Sequence, residues 1–242
     1  MEILPGLWMI EGLGQAYVYR EADRFTLVDA GITGIAPKIF DALAAQGGRP
    51  EQLHTIILTH HHADHMGGCA ELVARTDAQV MAHALEAPVI RGEQQPPEPQ
   101  ITEMERPFHE QAVKATPPAA PARVNRELDD GDEIDVGGGA RVIHVPGHTP
   151  GSIALYLPAK RVLFTGDDVI VWVPSSGIAR EEHSLGRQIE GDTARSVAWH
   201  MDDASAAAQI DLIPILQFSI HACRGGRRRR FDSPFMERAL DL

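Results

Sequence analysis

An α/β fold built on a mixed β-sheet is what this sequence predicts, and three observations predict it. Strand and helix signals alternate through the first half of the chain, the pattern of crossover connections. From residue 127 to 165 short apolar runs are separated by glycine turns, the pattern of hairpins. The composition, 43% hydrophobic and 23% charged over 242 residues, is that of a globular chain long enough to bury a sizeable core.

The elements follow in order. Residues 16–19 and 25–28 read as short strands, and the second runs into Asp29-Ala30-Gly31, an aspartate at a glycine turn. Ile35, Ile39 and Leu43 recur at helical spacing, so 35–45 is a helix closed by Gly47-Gly48. The run 55–59 is apolar enough for a buried strand, 69–75 reads as a helix, and 79–82 as the next strand. Residues 87–126 then hold eight of the chain's 17 prolines, a density that predicts no long regular element. Strand signals resume directly afterwards. The segment is therefore read as an excursion, and a candidate lid, from one domain spanning 1–242. Turns at 130–132 and 137–139 precede strands at 140–145, 153–157 and 161–165. Past 175 the pattern is more helical, with one further apolar segment at 210–218.

Charge and cysteine usage exclude several functions. The net charge is −12 (22 basic against 34 acidic residues), a surface that repels nucleic acid and anionic lipid and points to a small-molecule substrate. The four arginines at 227–230 are a local exception, and so short a basic run in an acidic chain reads as a solvated surface. Apolar stretches such as 169–173 stop far short of a membrane span. The opening MEILPGLWMIEGLG has no basic flank before its apolar residues, so a cytoplasmic location is expected. Two cysteines, Cys69 and Cys223, make neither a disulfide framework nor a paired metal spacing.

The chemistry is concentrated in LTHHHADHMGG, residues 58–68. A turn leaving a buried strand can aim His60 and His62 at one point and Asp64 and His65 at another. Imidazole nitrogen and carboxylate oxygen suit zinc, and also iron or manganese. An expression tag would be terminal and uninterrupted; this cluster is internal and patterned. Gly67 and Gly68 let the backbone turn into the following helix. His61, flanked by candidate ligands, is expected to point away from them. Four residues cannot fill two metal shells, so further ligands are expected at later strand ends. VPGHTPGS (145–152) offers His148, and LFTGD (163–167) offers Asp167, a carboxylate placed to bridge two cations. Asp168, on an extended segment, is expected to face the other way.

THHHADHMGG, VPGHTPGS and LFTGD, in that order and joined by LVDAG at 27–31, closely resemble the motifs of metallo-β-lactamase-fold hydrolases. The first looks like that of glyoxalase II, and lactonase-like relatives share the set. The resemblance covers nearly the whole chain. It implies an αβ/βα four-layer sandwich, two mixed β-sheets flanked by helices with two zinc ions at one edge. It also implies that His60, His62 and His148 hold the first metal, Asp64 and His65 the second, with Asp167 bridging and Asp29 helping to orient the ligands. The family closes the second site with one more histidine after a late strand. Here the sequence departs: QFSIHACRGG (217–226) replaces the usual Gly-His or Ser-His turn. His221 matches best by order, with His183 and His200 as rivals.

The implied reaction is attack by a metal-bridging hydroxide, oriented by Asp64 and Asp167, on a small ester, thioester or lactone. No serine or cysteine nucleophile is needed, and no G-x-S-x-G occurs. The fold does not choose among thioesters, lactones, β-lactams and phosphodiesters. The chain after 175 offers little for the separate helical glutathione-binding domain of glyoxalase II. Two other readings stand beside hydrolysis: a mononuclear iron enzyme like the family's persulfide dioxygenases, and a metal-binding relative without catalysis.

Overall fold

The computed structural model describes residues 1–99, 103, 106–168 and 198–200. His183, His221, the 210–218 segment and the arginines at 227–230 lie outside the described residues. Seven strands form the first sheet in chain order: β1 (Glu2–Leu4), β2 (Leu7–Ile10), β3 (Ala16–Glu21), β4 (Arg24–Val28), β5 (Leu53–Leu58), β6 (Gln79–His83) and β7 (Arg126–Leu128). The first four pair antiparallel across short turns. From β4 onward the pairing is parallel. Parallel neighbours need crossovers, and these carry the helices: α1 (Ala36–Ala45) before β5, α2 (Ala63–Met66) and α3 (Cys69–Val73) before β6, and α4 (Ala87–Ile90) and α5 (Arg106–Ala115) before β7.

The second sheet holds β8 (Glu133–Ile134), β9 (Ala140–His144), β10 (Ile153–Leu157), β11 (Val162–Phe164) and β12 (Ala198–His200), in the order β12-β11-β10-β9-β8. Its described pairings are all antiparallel. Among the described residues no helix is long and apolar enough to cross a membrane.

The alternation of strand side chains separates two cores. On β4 and β5, Leu27, Ile56 and Leu58 turn to the helix side, against Ile39, Leu43 and Leu72. Val28 and Ile57 turn to the other side and meet Val142, Leu155, Leu157 and Phe164 of the second sheet. The end of β5, Ile56-Ile57-Leu58, is apolar at successive positions because both of its faces are covered there. Each fully buried leucine or isoleucine contributes about 1.5–3 kcal/mol, so a charge placed at Ile57 would split the two sheets. Sheets packed face to face with helices against them are the α/β sandwich the sequence implied.

One expectation fails. The proline-dense segment does contain a regular element, the ten-residue helix α5. The prolines gather on either side of it, at 96–99 and 117–121. Pro107 alone falls inside, in the first turn, where its missing N–H removes no helical hydrogen bond. Past that helix the chain rejoins the core: Ala122 is buried and donates its N–H to the Ile90 carbonyl at 2.9 Å. A second difference is local. Gly166 to Asp168 form a 3-10 turn, not an extended segment.

Candidate metal centre

Three chain segments meet where the two sheets share an edge: the turn after β5, the loop between β9 and β10, and the turn after β11. The backbone joins them directly, with the Ile153 N–H donating to the Thr59 carbonyl at 3.0 Å. Gly166, at φ +52°, closes the third segment onto the first. A Cβ there would stand 2.8 Å from Thr59 Oγ1, so only glycine fits.

His60, His62 and His148 bring ligand nitrogens together. His60 Nε2 lies 3.1 Å from His62 Nδ1, which lies 2.8 Å from His148 Nε2. Hydrogen bonding settles which nitrogen of His60 is free. Asp29 can only accept, so the single hydroxyl hydrogen of Thr59 goes to its carboxylate, at 2.9–3.0 Å. Thr59 Oγ1 therefore accepts from His60 Nδ1 at 3.1 Å, leaving the Nε2 lone pair turned toward His62. Burial, then repulsion from neighbouring histidines, holds His60 well below its ordinary value and brings His62 to about 3. Burial likewise lowers His148, outweighing Asp167. These are neutral imidazoles, the form that binds a cation.

His65, Asp167 and again His60 make a second converging group. His65 Nδ1 donates to Asp29 Oδ2 at 2.9 Å, and its Nε2 stands 3.1 Å from Asp167 Oδ1. The other oxygen of Asp167 lies 3.5 Å from His148 Nε2, so one carboxylate faces both groups. Against its burial, Asp167 and Asp29 hold the His65 imidazolium well above 6.5. Against its own burial, Asp167 is drawn well below the usual carboxylate range, chiefly by His65. Asp64 stands further out: its Oδ2 is 3.8 Å from His65 Nε2, and 35% of its side chain is exposed. Burial raises its carboxyl in spite of His65.

Asp29 sits beneath both groups. It is 1% exposed, accepts from the Thr59 N–H at 2.8 Å, and adopts a left-handed φ of +57°. Aspartate tolerates that region better than most residues, and strain of this kind collects where geometry matters.

All six predicted residues that fall among the described ones, His60, His62, Asp64, His65, His148 and Asp167, lie in this one place. Five of them bring ligand atoms within 4.8 Å of one another in the two groups, and Asp64 stands outside both. The donor sets, three neutral nitrogens and a histidine–carboxylate pair, fit a divalent metal such as zinc. His200 lies in β12, paired with Val162. Cys69 is fully buried and its thiol is pushed up to about 12, which removes it as a nucleophile.

Sequence reasoning missed Thr59 and Glu86. Glu86 is completely buried and accepts from the His61 N–H at 2.9 Å and from His61 Nδ1. Its other oxygen accepts from Thr149 Oγ1 at 2.8 Å and the Gly151 N–H at 2.6 Å. Against its burial, hydrogen bonds from His61 first hold its carboxyl below the ordinary value. The signal was present as a lone acid among apolar neighbours in LEAPVI, just past β6.

Residues 9–171 match the family model of the metallo-beta-lactamase superfamily. The chain belongs to that superfamily. Among its relatives, a hydroxyacylglutathione hydrolase of Cereibacter sphaeroides is 34% identical over 135 residues, covering 55% of this chain and 41% of that one. The acyl-coenzyme A thioesterase MBLAC2 of Gallus gallus is 30% identical over 192 residues, 72% of this chain and 66% of that one. A solved metallo-beta-lactamase of Cronobacter sakazakii superposes with a TM-score of 0.53 at 26% identity, covering 69% of this superfamily member and 60% of the other chain. The chain spans less than half the length of the first hydroxyacylglutathione hydrolases it matches, 41–44%.

Proposed function

We propose that this chain is a metal-dependent hydrolase of a small thioester, ester or lactone, carrying two zinc ions. His60, His62 and His148 would hold one, and Asp64, His65 and His221 the other, with Asp167 between them. One observation carries the reading: five side chains from three segments converge in two groups that share His60, each with ligand atoms within 4.8 Å. The names of two relatives, a hydroxyacylglutathione hydrolase and an acyl-coenzyme A thioesterase, weight the substrate class toward thioesters. We take residues 1–242 as one domain with 87–126 as its excursion, and, with only two cysteines in the chain, a cytoplasmic setting.

A divalent metal held here supplies Lewis acidity, polarising a carbonyl oxygen and bringing the pKa of water from about 15.7 toward roughly 7. The chain's own residues do the rest. Asp64, partly open to solvent, accepts a hydrogen bond from the attacking water and aims its lone pair at the carbonyl carbon. Its carboxylate can take the water's proton and return it to the departing thiol or alcohol. Asp29 keeps His65 in place by accepting from its Nδ1, which leaves Nε2 for the metal.

Metal analysis of the purified full chain, followed by a panel of thioesters, lactones and simple esters, tests the proposal. Two zincs per chain are expected, with turnover lost to a chelator and restored by zinc. A second reading, a mononuclear iron enzyme of the persulfide dioxygenase type, draws on Asp64 standing outside both converging groups. One iron per chain, oxygen consumed in the presence of a persulfide, and no turnover on the panel would decide for it. Metal without any turnover would instead mark a non-catalytic relative.

A further inference from the structure

We infer that Glu86 is a positioning residue that sets the spacing of the His60/His62/His148 group by tying together the two loops that carry it. The inference rests on the metal-site reading above. His60 and His62 flank His61 on a turn of the first sheet, and His148 precedes Thr149 on a loop of the second. Glu86 Oε2 holds the first turn through the His61 N–H and the His61 ring. Oε1 holds the second loop through Thr149 Oγ1 and the Gly151 N–H. Ser152 completes the loop, accepting the Thr149 N–H at 3.1 Å and lying 2.9 Å from its hydroxyl. A single buried side chain is thus a strut between the two sheets, one residue away from every nitrogen of the group.

The chemistry of the donors explains why the strut is a carboxylate. One backbone N–H points at each of its oxygens, and a backbone N–H cannot be turned into an acceptor. An amide at this position would always set its NH2 against one of them, leaving a buried donor facing a donor. Gly151 records the same closeness, since a Cβ there would meet Glu86 Oε1 at 2.7 Å and His83 Nδ1 at 3.0 Å. Residues that hold metal-bearing loops from behind commonly influence affinity about 10- to 100-fold.

The test uses the full chain stripped of metal, titrated with zinc against a chromophoric chelator, with the cobalt(II) absorption spectrum and the melting of the metal-free protein as parallel readouts. Glu86→Gln should weaken zinc binding by about 10- to 100-fold and shift the cobalt bands. Thr149→Val, which removes one donor and adds none, should act in the same direction and by less. A merely structural role would lower the melting temperature and leave zinc affinity and the cobalt spectrum as they were. Zinc binding within twofold of wild type and an unchanged spectrum in both variants would overturn the inference alone. If Glu86→Gln does not fold, Thr149→Val decides by the same readouts. A wild-type chain that binds no zinc overturns the metal reading and this inference with it.

Discussion

The two groups of donors share His60 and lie side by side, yet they are built in opposite ways. In the first, three imidazoles face one another, and burial followed by mutual repulsion keeps protons off them. In the second, His65 is gripped between Asp29 and Asp167 and keeps its proton well above 6.5 in spite of burial. The rings of His60 and His65 are only 4.1 Å apart. One residue type, equally buried, takes opposite states because two carboxylates flank only one of them. The consequence is chemical. A cation entering the first group displaces no proton, whereas one entering the second must displace the proton of His65. The first group should therefore fill first, and the second should be the more sensitive to acid.

The largest effect that could break this comparison comes from removing a nitrogen. His148→Ala should weaken zinc binding at the first group by on the order of a hundredfold or more, since only three nitrogens are available there. Metal retained by the second group should survive it. His60→Ala, which takes another of those three nitrogens and the ring packed on His65, should empty the first group and abolish turnover. Metal content after desalting reads this directly, and full zinc in either variant would break the assignment.

Much of this was legible in the sequence, for a physical reason. Metal ligands must be histidine or carboxylate, and they must leave strand ends together, so THHHADH, PGHTPG and FTGD display both residue type and placement. β4 and β5 were legible because burial on both faces forces an apolar run. What could not be read was the set of groups behind the ligands. Thr59 looks like any strand threonine, and Glu86 becomes a site residue only when β6 is laid beside β5 and the loop carrying Gly151 closes over it. The helix α5 was hidden by averaging: proline density over 87–126 concealed a ten-residue window with one harmless proline.

Acid offers a second test. The folded pKa values of His60, His62 and His148 lie below the 6.5 of an exposed histidine. Between the two values the unfolded chain binds more protons, so stability falls as pH falls. Each group should cost about 1.4 kcal/mol per pH unit below 6.5 until its folded value is reached. For His62 that window extends down to about 3. His65 adds no slope there, being protonated in both states; its stabilisation is full below 6.5 and is lost only as pH climbs through its raised value. Melting of the metal-free protein between about pH 7.5 and about 5 should show a falling Tm below 6.5. A rising Tm would mean that the first group is charged when folded, and the contrast between the groups would be gone.

The smallest effect belongs to His61, which sits between two ligands and yet faces neither group. It is 8% exposed, and its Nδ1 turns to Glu86. His61→Ala removes one of the four donors to that carboxylate and keeps the backbone N–H, so no buried donor is orphaned. The loss should be about 1 kcal/mol, roughly fivefold in zinc affinity or turnover. That is less than for Glu86→Gln, which sets donor against donor, and far less than for His60→Ala, one position away. Measured side by side, the three variants should rank His60→Ala, Glu86→Gln, His61→Ala. A His61 variant as inactive as the His60 variant would mean that the turn after β5 presents its histidines differently in the working enzyme.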